Sequence, residues 1–136
     1  MFIKIVLVVF SIGLTGIFLG LQQDSSFQES KARGAVIYQD FCVTCHLPAG
    51  EGVPYVYPPL ARSDYLLNNK TASIRGIKFG QRGPMVVNGI SYDNTMMPLG
   101  LEDEEIADVM NYILTSWGNT TEKMVTPEEV AEVGPR

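Results

Sequence analysis

The run Phe41-Cys42-Val43-Thr44-Cys45-His46 holds both cysteines and the single histidine of a 136-residue chain. Two thiols three positions apart, with an imidazole directly after the second, constrain the fold more than any hydrophobic pattern does. A structural zinc ion takes four ligands, typically Cys and His, and this chain offers three, so zinc would need a carboxylate in addition. A thiol redox centre places C-x-x-C beside a strand of a βαβ unit. Here the motif follows a helical pattern, and no βαβ pattern is present. Two buried cysteines beside a surface histidine are the plain alternative.

C-x-x-C-H is also the attachment signal of c-type haem. The spacing suits that chemistry: the two thiols add to the two vinyl groups of one porphyrin edge, and the adjacent His46 reaches the iron from one face. Covalent haem of this kind is attached outside the cytoplasm, and the N-terminus agrees. From Ile5 to Leu21 the chain is apolar or small and carries no charge, with Lys4 the one charge before it. That is just long enough to cross a bilayer, and the lysine suits a cytoplasmic N-terminus. A cleaved signal should end in a small-x-small site, and Ile17-Phe18-Leu19-Gly20-Leu21 has no clean one. A retained anchor is therefore favoured, with the haem domain on the periplasmic or extracytoplasmic side of the cell membrane. The alternative is signal cleavage and release to the periplasm.

The remainder is enough for one modest core. The expected organisation is an anchor or signal over residues 1–23, a polar linker over 24–30, a haem domain over 31–118 and a tail with a short helix over 119–136. "ESKARGAVIYQDFC" has helical spacing, with Glu29 or Ser30 near its start. The prolines and glycines of 47–61 force a loop. "SDYLLNN" predicts a short helix capped by Ser63, and "TASIRGIKFG" predicts another ended by Gly80. Asn88-Gly89 between Val86-Val87 and Ile90–Tyr92 predicts a small hairpin. In "LEDEEIADVMNYILTSWGN" Ile106, Val109, Met110, Ile113, Leu114 and Trp117 form one apolar stripe, with four carboxylates in the first turn and Gly118 as a stop. "TPEEV" repeats helix-start chemistry, with Thr126 as cap. The fold class is mostly α, with long loops.

Haem iron takes a second axial ligand or leaves an open site. There is no second histidine, and methionine is the usual alternative. Of the six methionines, Met1 lies in the apolar N-terminus, Met110 on the helical stripe, Met124 in the tail and Met85 at the head of a strand. Met96 and Met97 precede Pro98 in a loop well separated from His46.

With these features in place, residues 31–118 resemble the class I c-type cytochromes. Gly34-x-x-x-Tyr38-x-x-x-Cys42 resembles that family's N-terminal helix, and Val109-x-x-Tyr112 resembles the pair on the C-terminal helix that crosses it. "YPPL" resembles the proline loop, and "MMPLG" the methionine ligand loop. The resemblance implies a cytochrome c fold, with N- and C-terminal helices crossing around one covalent haem c. It implies Cys42 and Cys45 as attachment points, His46 and Met97 as iron ligands with Met96 the rival, and the Pro58 carbonyl as acceptor from the His46 ring. Glu102 stands where the family often has Ser or Thr, leaving Asp103 as a substitute cap. Tyr92 and Arg62 are further candidates to approach the haem, against core packing and a solvated arginine respectively.

A haem with both axial positions filled exchanges one electron without binding substrate. The expected function is therefore a one-electron carrier or electron-transfer subunit, not an enzyme by itself. Its partners would be a dehydrogenase, a quinol-oxidising complex or a terminal oxidase. A haem sensor with a displaceable methionine is the alternative, and a thiol oxidoreductase a weaker one. Formal charge is about +4 over 62–82 and about −7 over 102–136, which predicts a dipole that steers encounter. With a net charge of −5, nucleic acid is not an expected partner.

Overall fold

The computed structural model describes residues 25–135. The expected anchor at 1–23 lies outside them, and among the described residues no helix is long and apolar enough to cross a membrane. Helix α1 covers residues 25–37 and runs on through a π-helical turn, Tyr38–Cys42, into one α-turn, α2 (Val43–His46). After the long loop come α3 (Asp64–Asn68), α4 (Lys70–Phe79), a hairpin of β1 (Met85–Val87) and β2 (Ile90–Tyr92), α5 (Asp103–Ile113) and α6 (Pro127–Ala131). The fold is mostly helical with one two-stranded antiparallel sheet.

α5 is the central element because its stripe falls on one face. Ile106, Val109, Met110, Ile113 and Leu114 are all buried, each worth about 2 kcal/mol on burial. α1 crosses this helix at Gly34. A methyl group there would come within 2.0 Å of the Asp108 carbonyl oxygen, so only a glycine permits the contact. One turn earlier, Ser30 Oγ donates to Asp108 Oδ1 at 2.6 Å, and Arg33 donates to both oxygens of the same carboxylate. One turn later, Tyr38 packs against Tyr112 and Trp117, with ring centroids 5.5 and 4.9 Å away. Its hydroxyl donates to the Leu47 carbonyl at 2.6 Å.

Four sequence expectations change. Residues 25–30, expected as linker, are helical, and Ser30 is buried in the α1–α5 contact instead of starting the helix. Glu102, not Asp103, stands at the N-cap of α5. Glu105 Oε2 accepts from the Glu102 N–H at 2.8 Å, and Asp103 is the first helical residue. Trp117 is not on the helix. α5 ends at Ile113, and Trp117, at φ 51°, turns the ring back into the aromatic cluster. Finally, the tail belongs to the core. Val125, Val130 and Val133 are buried, and Asn111 binds both backbone groups of Val125, its Nδ2 at 2.9 Å from the carbonyl and its Oδ1 at 2.8 Å from the N–H.

Local capping follows the sequence pattern elsewhere. Ser63 Oγ accepts from Leu66 N–H at 3.2 Å and Thr126 Oγ1 from Glu129 N–H at 3.3 Å. Gly80, at φ 86°, closes α4. The hairpin pairs Val87 with Ile90 across Asn88-Gly89, both at positive φ, as a type I′ turn requires. Asp64 and Asn88 exchange backbone-to-side-chain hydrogen bonds, which fastens the hairpin to the start of α3.

Candidate haem site

α2, the 47–61 loop, α3, α4, the hairpin and α5 surround one cavity. It holds about 1050 Å³ of space free of atoms, counting the part open to solvent. Its wall is apolar, with Leu60, Leu66, Ile77, Val87, Val109 and Ile113 among its residues, and it includes no charged side chain. Cys42, Cys45 and His46 all belong to it. The continuous run from α1 through the π-turn into α2 brings them there together.

His46 Nδ1 lies 2.9 Å from the Pro58 carbonyl oxygen. A carbonyl can only accept, so Nδ1 carries the proton and donates it, and the lone pair resides on Nε2. Burial lowers the His46 pKa, opposed by the bond to Pro58, so the ring is held neutral, as a metal ligand must be. The Pro58 loop is fixed in turn by glycine. Gly50 O accepts from the Leu60 and Ala61 N–H groups, both at 2.8 Å. A methyl group on Gly50 would meet the Trp117 ring at 2.5 Å.

Cys42 does not resemble the reactive cysteine of a thiol redox centre. Burial, reinforced by the neighbouring Cys45, pushes the Cys42 thiol up to about 11, whereas a reactive redox cysteine has a lowered value. Among the described residues, no group of three or more His, Cys, Asp or Glu could hold a metal ion. An apolar cavity with two thiols and one neutral imidazole in its wall fits a large flat apolar group attached through sulfur and ligated through nitrogen. These residues therefore fit haem.

The remaining expected residues divide. Pro58 and Tyr92 line the cavity, and Tyr92 is 3% exposed. Arg62 does not reach the wall. It sits in a turn at φ 48° and lies over Gly118, exposed. Met97 does not line the cavity either: it is 58% exposed, while Met96 belongs to the wall. An antiparallel bridge sets this, because Met96 exchanges both backbone hydrogen bonds with Gln81, each 2.9 Å. Gly80 is pressed against the Met96 carbonyl and Pro98. Tyr65 and Gln81 also line the cavity without having been singled out, since nothing in their local sequence marks them.

The expected basic patch is largely answered within the molecule. Lys70 pairs with Glu129 at 2.6 Å and Lys78 with Asp103 at 2.7 Å. Arg75 donates to the Gly134 carbonyl at 3.0 Å. The tail thus lays acidic and carbonyl groups on α4, and the two charge blocks meet.

A family model described as cytochrome c matches residues 31–117. The chain is 36% identical over 112 residues to cytochrome c-552 of Thermus thermophilus, covering 76% of this chain and 85% of that one. It is 34% identical over 104 residues to the cytochrome c subunit of a quinone alcohol dehydrogenase from Komagataeibacter europaeus. It is 33% identical to the cytochrome c subunit of gluconate 2-dehydrogenase from Pantoea cypripedii. These matches cover 74% of this chain but 22% and 23% of those subunits. The relatives are cytochromes or cytochrome subunits of dehydrogenases, and the family carries haem c on two cysteines, here Cys42 and Cys45. By its family match, its relatives and its helical fold, the chain belongs to the cytochrome c family.

Proposed function

We propose that this chain carries single electrons, alone or as a subunit, with its haem iron held by His46 and Met96. One observation carries the reading: both cysteines, a histidine whose Nδ1 is engaged by Pro58, and Met96 belong to the wall of one apolar cavity. When bound, the haem supplies reversible one-electron exchange. The chain's own residues do the rest. Cys42 and Cys45 retain the group, and the Pro58 carbonyl fixes the His46 ring. The aliphatic wall excludes water, and Met96 would supply the second iron ligand and leave no open position for a substrate. The uncharged run Ile5–Leu21 supports attachment to the cytoplasmic membrane with this domain on its outer side. The dehydrogenase relatives support a dehydrogenase as redox partner, with a quinol-oxidising complex or terminal oxidase as further candidates.

The test is haem staining after denaturing electrophoresis, followed by a redox titration. Colour should stay with the wild-type chain and leave it when Cys42 and Cys45 are both changed to Ala. The titration should follow a single one-electron curve. Haem lost from the wild type, or ready carbon monoxide binding by the native reduced protein, would overturn the reading.

A further inference from the structure

Met96 is placed from a distance. Its two backbone hydrogen bonds go to Gln81, and Gln81 follows α4 after a single residue, Gly80. No side chain comes between the end of α4 and the Met96 loop. A methyl group on Gly80 would lie 2.9 Å from the Met96 carbonyl oxygen and 3.0 Å from Pro98 Cδ. Where α4 stands therefore sets where the Met96 backbone stands.

α4 has little of its own to keep it in place. It is ten residues long, no side chain caps its N-terminus, and of its residues Ile74 and Gly76 are buried. A helix of that length is marginal by itself. The tail and the start of α5 supply the hold. Lys70 meets Glu129 in the first turn, and Arg75 meets the Gly134 carbonyl in the middle. In the last turn half-buried Lys78 donates to Asp103 Oδ1 at 2.7 Å and to the Val130 carbonyl at 3.0 Å. The tail is fixed in turn by the Asn111 bonds to Val125 and by the buried Val130 and Val133. Lys78 thus ties the end of α4 nearest the Gln81–Met96 bridge to two separate elements.

We propose that the C-terminal tail is a latch on the second iron ligand, with Lys78 the positioning residue that acts through α4, Gly80 and the Gln81–Met96 bridge. The proposal rests on the reading that Met96 ligates the iron, and adds what keeps it there. An incoming ligand must take the place of Met96, so its apparent affinity is scaled by the fraction of molecules with Met96 released. With the latch closed, α4 cannot follow the loop outward and that fraction is small. With the latch open the fraction grows, and the iron becomes accessible to external ligands. Because ion pairs form part of the latch, salt loosens it.

Imidazole at about pH 8, where it is largely uncharged, is the probe. It is titrated into the oxidised full-length haem protein in a neutral detergent. Lys78→Met should tighten imidazole binding about fivefold and weaken the sulfur-to-iron absorption. The backbone amides of Gln81 and Met96 should exchange with deuterium several-fold faster, a readout that does not pass through the iron. Lys78→Arg should restore both, because a guanidinium donates to the same two oxygens. Glu129→Gln is the milder second variant and should move both readouts in the same direction, even where Lys78→Met does not fold. Raising salt to about 0.5 M should tighten imidazole in the wild type and much less in Lys78→Met. Arg33→Met is the control: it removes the ion pair with Asp108 in the α1–α5 contact. It should lower the melting temperature and leave imidazole binding and the two amides unchanged. Unchanged binding and exchange in the Lys78 and Glu129 variants, or equal changes in Arg33→Met, overturn the latch alone. Met96→Ala comes first: a sulfur-to-iron absorption that survives it overturns the ligand reading and the latch with it.

Discussion

Met96 and Met97 are adjacent in the chain and have opposite surroundings: Met96 is part of the cavity wall, and Met97 is 58% exposed outside it. Met96→Ala should abolish the sulfur-to-iron absorption at the red edge of the visible spectrum. It should also lower the reduction potential by on the order of 0.1 V, because the thioether favours ferrous iron. Met97→Ala should keep both. The absorption spectrum and a redox titration of each variant check this, and the reverse pattern would return the ligand to Met97.

Gly34→Ala tests the helix crossing. The added methyl would lie 2.0 Å from the Asp108 oxygen and 2.9 Å from Tyr112 Cβ, both on α5. Backbone cannot swing aside as a long side chain can, so α1 and α5 must separate. We expect a loss of about 3 kcal/mol or more in denaturant unfolding.

How much of this was legible in the sequence depends on the range of the signal. Asn88-Gly89 announced the hairpin because its turn needs two left-handed residues, and the structure supplies φ 50° and 77° there. Ser63, Gly80 and Thr126 act through atoms within one turn, and their roles could be read directly. The choice between Met96 and Met97 could not. Neighbours in an extended segment point to opposite sides, and which one faces inward is set by pairing with Gln81, fifteen residues away. The fate of the α4 cations was hidden for the same reason. Their partners Glu129 and Gly134 lie in a tail that local pattern placed outside the domain.

Tyr38 makes the molecule sensitive to alkali. Burial, with smaller contributions from Cys42, Tyr112 and Glu51, raises its pKa well above the usual 10.0. The folded chain keeps the proton while the unfolded chain releases it. This contribution is therefore whole below pH 10.0 and declines as pH rises beyond it. Tyr38→Phe should flatten the alkaline fall in unfolding free energy. At neutral pH it should cost about 1 kcal/mol for the lost bond to Leu47.

Asn111 ties three segments together. It donates to Ser30 Oγ at 2.9 Å and holds Val125 by both backbone groups. Asn111→Ala leaves buried polar groups on Ser30 and Val125 without these bonds, so we expect a loss of about 3 kcal/mol. Trypsin should then cut after the exposed Lys123 faster than in the wild type, as followed by mass spectrometry.

The π-helical turn at Tyr38–Cys42 has a consequence for how this chain can vary in length. Its Val43 N–H reaches back five residues to the Tyr38 carbonyl instead of four, so the turn holds one residue more than an α-turn would. Deleting Gln39 or Asp40 would let an ordinary α-turn form in its place and leave everything beyond nearly in phase with α1, because the residue lost is the extra one that the π-turn accommodates. Tyr38 would keep its place against Tyr112 and Trp117, and Cys42, Cys45 and His46 would stay directed at the cavity. A one-residue loss at Gln39 or Asp40 is thus tolerated much as it is in a surface loop such as 120–124, whereas the same loss in the regular turns of α1 between Gly34 and Tyr38 would rotate everything beyond by about 100° and turn Cys42, Cys45 and His46 off the cavity.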